Sequence, residues 1–272
     1  MPGSSRTRRI LPLACLALPL TVGGAGCRSD AVTVEAAQRP TQPQDATEAQ
    51  RIVSLAGNPK AQPDQRRRAM LKIIQSDAAD QPVYLDFYRA VLDDPQTDAT
   101  VASVCALALA EHGQPEDVHH LTPWLTRGDA FTRWQTGVAL QRLHHPDAIA
   151  PLLEAMRSDE DADVRTAATV ALGQYPRRDV FDALITTLDD RDSGPARAAR
   201  GSLALMTGQN LGPEPQAWLD YANQHPGDLI QPLDYTYLPY PPGRGWWGLV
   251  FFWIDREASP QHPNGYPSAE GS

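Results

Sequence analysis

Cysteine is scarce in this 272-residue chain, which has only three. Cys15 stands in an apolar leader and Cys27 just behind it, so Cys105 is left alone in the body with no partner for a disulfide. Stability must come from packed apolar faces. Long apolar runs are missing too: 10–22 has 13 residues and 246–254 has nine, against the ~18 wanted for a membrane-spanning helix. Clustered positive charge is absent, with 24 Lys and Arg against 33 Asp and Glu. Such a balance is unsuited to phosphate backbones, so nucleic acid is not expected as a partner. No GxSxG elbow, phosphate loop, HExxH or CxxC is found, and catalysis therefore leaves no trace in the sequence. The 25 prolines crowd towards both ends, as expected of irregular segments flanking a helical middle.

The chain opens with Arg6, Arg8 and Arg9, an apolar stretch and small residues, the plan of a secretory signal. The following "GGAGC" resembles the lipobox of bacterial lipoproteins, cut just before a Cys that carries a diacylglyceryl group. Ala25 and Gly26 fit that pattern, whereas Gly24 stands where an aliphatic residue is usual. The resemblance implies a signal peptide over 1–26, a lipid on Cys27, and export to a bacterial membrane facing the periplasm or the cell exterior. Residues 27–44 lack apolar periodicity and read as a flexible tether. Loss of the three leader arginines takes the basic count from 24 to 21 against 33 acidic residues, a balance of −12.

Self-similarity dominates the middle. Leu121, Leu152 and Leu184 recur at steps of 31 and 32 residues, as do Leu125, Met156 and Leu188. A second series, Leu109, Leu140, Leu172 and Leu203, steps by 31, 32 and 31, with Cys105, Thr136, Ala168 and Ala199 four residues earlier in each case. The i, i+4 spacing sets one small and one large residue on a buried helix face. Each unit is thus a pair of helices joined by a short polar loop, and one pair cannot bury both its apolar faces without neighbours. An all-α solenoid of antiparallel helix hairpins is expected over 45–224, including terminal capping helices, with a Pro- and aromatic-rich tail over 225–272. The closing helix should cover the last unit with Trp218 and Leu219.

At "DADVRTAATVALG" the units resemble HEAT repeats, and in particular the short HEAT-like variety found in phycobilisome lyases. Asp163, Val164, Arg165, Ala168 and Leu172 match the second helix of that family, and Arg133 takes the place of Arg165 one unit earlier. The next unit departs, with Pro195 and Ala196 in place of Val-Arg. The resemblance implies a right-handed, armadillo-like superhelix and scaffolding work. It also implies an Arg–Asp ladder between units, in which Arg133, Asp163 and Arg165 take part.

Five of the seven histidines lie within 112–145, yet adjacent pairs such as His119-His120 and His144-His145 point about 100° apart on a helix. Solvation or capping is expected of them, and neither metal nor cofactor. Carboxylates in the loops "LDDPQTD", "RSDEDADV" and "LDDRDS" read as helix caps. The run "GRGWWGLVFFWID" carries Trp246, Trp247, Phe251, Phe252 and Trp253, which are the candidate partner-binding residues. Three readings of it stay open: a cover docked on the helices, a partner-binding patch, and an interfacial membrane contact. The function expected is that of a lipid-anchored, non-catalytic scaffold for an unidentified protein, with a peptidoglycan-contacting envelope protein and a lyase-type enzyme as rivals.

Overall fold

The computed structural model describes residues 48–231, 234–237 and 260–267. The signal peptide, Cys27 and the tether lie outside the described residues, as does the whole aromatic run. Among the described residues are eleven α-helices, packed as sequential pairs. Helices α1 (Glu48–Gly57) and α2 (Pro63–Ile74) form the first pair, α3 (Pro82–Asp93) and α4 (Ala99–His112) the second. The third joins α5 (Val118–Leu121) to α6 (Ala130–Arg142), the fourth α7 (Ile149–Ser158) to α8 (Ala162–Leu172), and the fifth α9 (Arg178–Thr187) to α10 (Ser193–Thr207). A single helix, α11 (Pro215–Gln224), closes the array against α9. No described helix is long and apolar enough to cross a membrane.

The periodic residues are the core. Leu109, Leu121, Leu140, Leu152, Leu172, Leu184 and Leu203 are all fully buried, and so are Cys105, Thr136, Ala168 and Ala199. Second helices α2, α4, α6, α8 and α10 pack on one another in order. Small residues allow the close approach: a Cβ added to Gly137 of α6 would lie 3.1 Å from the Ala167 Cβ of α8. Burial raises the Cys105 thiol well above its ordinary range, so this cysteine is a packing residue beside Met70 Sδ at 3.5 Å.

Helix starts repeat with the same register. Asp98 Oδ1 accepts from Thr100 N, Asp129 Oδ1 from Thr132 N, and Asp161 Oδ1 from the N–H groups of Asp163 and Val164. These N-caps satisfy donors that the first turn leaves unpaired. Asp192 holds the corresponding place before α10, but its side chain makes no cap bond and turns to Arg165.

Two departures from the expected hairpins have local causes. The first helix of the third pair is broken into a 3₁₀ turn (Pro115–Asp117), the short α5 and a second 3₁₀ turn (Thr122–Leu125). Pro123 has no N–H to give to the helix ladder, and its ring crowds the carbonyl four residues back. Trp124 keeps this irregular stretch in place, buried and donating from Nε1 to Leu92 O at 3.0 Å. In the closing helix Trp218 is fully buried and donates to Gly212 O, while Leu219 stays 40% exposed.

Candidate functional site

Two arginines link successive units. Arg133 donates from Nε and NH2 to the carboxylate of Asp159 at 2.8 and 3.0 Å. One unit on, Arg165 repeats this bidentate geometry on Asp190 at 2.9 and 2.9 Å and adds Asp192 at 2.6 Å. Donating to the carboxylates of Asp159 and Asp190 respectively raises both guanidinium pKa values, while Arg165 holds Asp190 below the usual carboxylate range. Asp163 stands apart from these pairs: it lies exposed in the first turn of α8, its backbone N–H given to Asp161. A cleft of about 320 Å³ opens beside the first pair, lined by Arg133, Glu154, Ser158, Asp159 and Glu160.

The C-terminal segments run back across the ends of the second helices. The last carbonyls of a helix have no partner inside it, and here one donor arrives at each of four helices. Gln231 N–H donates to Met206 O at the end of α10, and the Tyr235 hydroxyl to Val170 O near the end of α8. Asn264 serves the other two, N–H to Arg142 O on α6 and Nδ2 to Gly113 O behind α4, at 2.8 and 2.9 Å. In return His144 N–H donates to Asn264 O at 2.7 Å. Tyr235 is 3% exposed, accepts from Gln141 Nε2, and has its phenol pushed up to about 12 by burial. The Arg142 guanidinium lies over the Tyr237 ring at 5.4 Å.

Tyr237 and Gln261 exchange two backbone hydrogen bonds, 2.8 and 2.9 Å, in an antiparallel bridge. The candidate residues Trp246, Trp247, Phe251, Phe252 and Trp253 lie between these two positions in sequence, outside the described residues.

One stripe of α6 is open at one end. Phe131, Trp134, Val138 and Gln141 share a face by their spacing. Gln141 is bonded to the returning Tyr235, and Val138 is buried. Phe131 is 54% exposed, and its ring centroid lies 5.7 Å from that of the half-buried Trp134. Sequence reading passed over this pair, although Phe131 occupies the place that Asp163 holds one unit later, an aromatic where a repeat otherwise puts a polar residue. Asn264 was passed over as well; the Asn264-Gly265 dipeptide, a turn signal, was the available hint.

The adjacent histidines do part company. His120 Nδ1 sits 2.7 Å from Asp93 Oδ1, and His144 stacks on Tyr175 with Nδ1 at 3.1 Å from Gln174 Oε1. Their neighbours His119 and His145 come together with Asp147, a meeting that the sequence did not suggest.

Known families add one finding. The model for HEAT repeats matches residues 129–204, from the N-cap of α6 into α10. That stretch is a HEAT-repeat region, and the sequential helix pairs on either side of it extend the same solenoid architecture. No curated protein matches the chain.

Proposed function

We propose that this chain is a non-catalytic scaffold that binds another protein through the second-helix face of its HEAT region. The observation that carries the reading is the exposed Phe131 ring, set beside the half-buried Trp134 on the first helix of that region. Aromatic side chains of this kind are the usual anchors of protein interfaces, because they bury much area at small entropic cost. HEAT repeats suggest protein binding in general, and a surface of stacked helices offers an extended contact. The lipobox-like Cys27 supports the finer part of the proposal, that the scaffold works at a bacterial membrane in the cell envelope.

Crosslinking in intact cells followed by pull-down of the full chain tests the binding. Phe131→Ala with Trp134→Ala should cost about 2 kcal/mol or more, some thirtyfold in capture of a protein partner. Capture that is unchanged by the double substitution would place the interface elsewhere. Anchorage has its own assay: metabolic labelling with a fatty acid should mark the chain, and Cys27→Ser should abolish the mark.

A further inference from the structure

His119, His145 and Asp147 each present one ligand atom, and all three atoms lie within 4.8 Å of one another. His119 belongs to α5 in the third helix pair. His145 and Asp147 stand at the start of the fourth, where His145 precedes the 3₁₀ turn Pro146–Ala148. The group therefore spans the junction between two units.

Its spacing differs from that of two other histidine–carboxylate pairs. His120 closes on Asp93 at 2.7 Å and His262 on Asp234 at 2.7 Å, both full hydrogen bonds. In the three-residue group, His119 Nε2 stays 3.6 Å from Asp147 Oδ2, and His145 Nδ1 stays 3.8 Å from the same oxygen. Those separations exceed hydrogen-bonding range. They approach the edge of a coordination tetrahedron: ligand bonds of about 2.0–2.2 Å to zinc put neighbouring donor atoms roughly 3.3–3.5 Å apart. A contraction of a few tenths of an ångström would close the two edges to Asp147, and the remaining edge, between His119 and His145, lies within 4.8 Å.

We infer that His119, His145 and Asp147 form a binding site for a divalent transition-metal ion of the zinc type, which staples the third repeat unit to the fourth. Two imidazole nitrogens and one carboxylate oxygen suit zinc and its neighbours, whereas calcium and magnesium demand oxygen donors. Three protein ligands leave the fourth tetrahedral position to water. His145 Nδ1 now accepts the Asp147 N–H at 3.2 Å, and coordination through that nitrogen replaces this long bond.

The frame around the group is fixed from the next unit. Tyr175 receives the His145 N–H at 3.2 Å and returns its own hydroxyl hydrogen to His145 O at 3.0 Å. His144, one residue earlier, is tied to Asn264 of the returning tail. The backbone carrying two of the three ligands is therefore set in position before an ion arrives, which lowers the ordering cost of binding. The third ligand, His119, faces the ring of His145 edge-on at 5.6 Å between centroids.

Isothermal titration of ZnCl₂ into the full chain, carrying no affinity tag and stripped with chelator, tests the site at pH 7.5. One equivalent should bind at micromolar zinc. His119→Ala and Asp147→Asn should each weaken it at least about tenfold, since even outer-shell changes cost that much at metal sites. His120→Ala, beside the site but paired with Asp93, should leave it unchanged. Zinc should also raise the melting temperature of the wild type and not of the two ligand variants. Both substituted side chains are well exposed, 62% and 59%, so the variants should melt like wild type in chelator. Failure to bind one equivalent, or wild-type affinity in either ligand variant, overturns the inference.

Discussion

Arg165 is 3% exposed and fully charged, and it tolerates burial because Asp190, Asp192 and two carbonyls, Asp159 O and Glu160 O, accept from it. Its removal leaves Asp190, itself 12% exposed, without the group that keeps it ionised. Arg165→Ala should therefore cost about 3–5 kcal/mol, read as a shift of the urea midpoint with the slope unchanged. The arginine was legible in the sequence through its motif, as was its pairing with an Asp of a neighbouring loop, but which Asp was not. Asp163 lies two residues away, but the first turn of α8 sends it to solvent, and the carboxylate that meets the guanidinium comes from the loop one unit on. His144 marks the opposite case at this scale. Burial, helped by the charge of His145 and opposed by Gln174, holds its pKa below 6.5. A histidine that resists protonation when folded stabilises the fold above its unfolded pKa, and the contribution is lost as pH falls through the lower folded value. Melting temperature should thus drop as pH is lowered from about 7 towards 5, and His144→Asn should flatten that limb in a calorimetric series.

Elements that repeat could be found by their period, and elements that do not repeat could not. The second helices announced themselves through leucines at steps of 31 and 32 residues, and their N-caps through aspartates at the same steps. The break at Pro123 was visible only as a proline inside an otherwise helical pattern. The returning tail gave less still, because its contacts depend on single residues, Gln231, Tyr235 and Asn264, with no periodicity to join them. One of its positions is nonetheless sharply constrained. Gly265 adopts φ +82°, and a Cβ there would meet the Pro115 ring and His144 O, the latter at 3.0 Å. Gly265→Ala should destabilise by about 1–3 kcal/mol. It should also speed proteolysis after residue 225, with little change in the helical circular dichroism signal, since the helix pairs keep their own packing.

At the scale of the whole molecule, the Arg–Asp pairs of Arg133 and Arg165 tie residues 25 to 27 positions apart, whereas the tail ties Tyr235 to Val170 across 65 positions, Gln141 to Tyr235 across 94, and Asn264 to Gly113 across 151. A stack of repeats with neighbour contacts only can form from any unit and fray from either end. The tail ends that independence, because its four donors need the ends of α4, α6, α8 and α10 to be in place together. Searching for a single long-range contact in an unstructured chain is slow, but the finished stack presents all four carbonyls as one template and shortens the search to the tail itself. Refolding should accordingly show the helical signal first and a later step in Tyr235 environment, one that Gly265→Ala delays or removes. Synthesis runs in the same order, since the tail leaves the ribosome after the helix pairs that it closes. Its docking thus acts as a proofreading step: a chain with one misfolded unit lacks one of the four carbonyls and keeps the tail open to proteases.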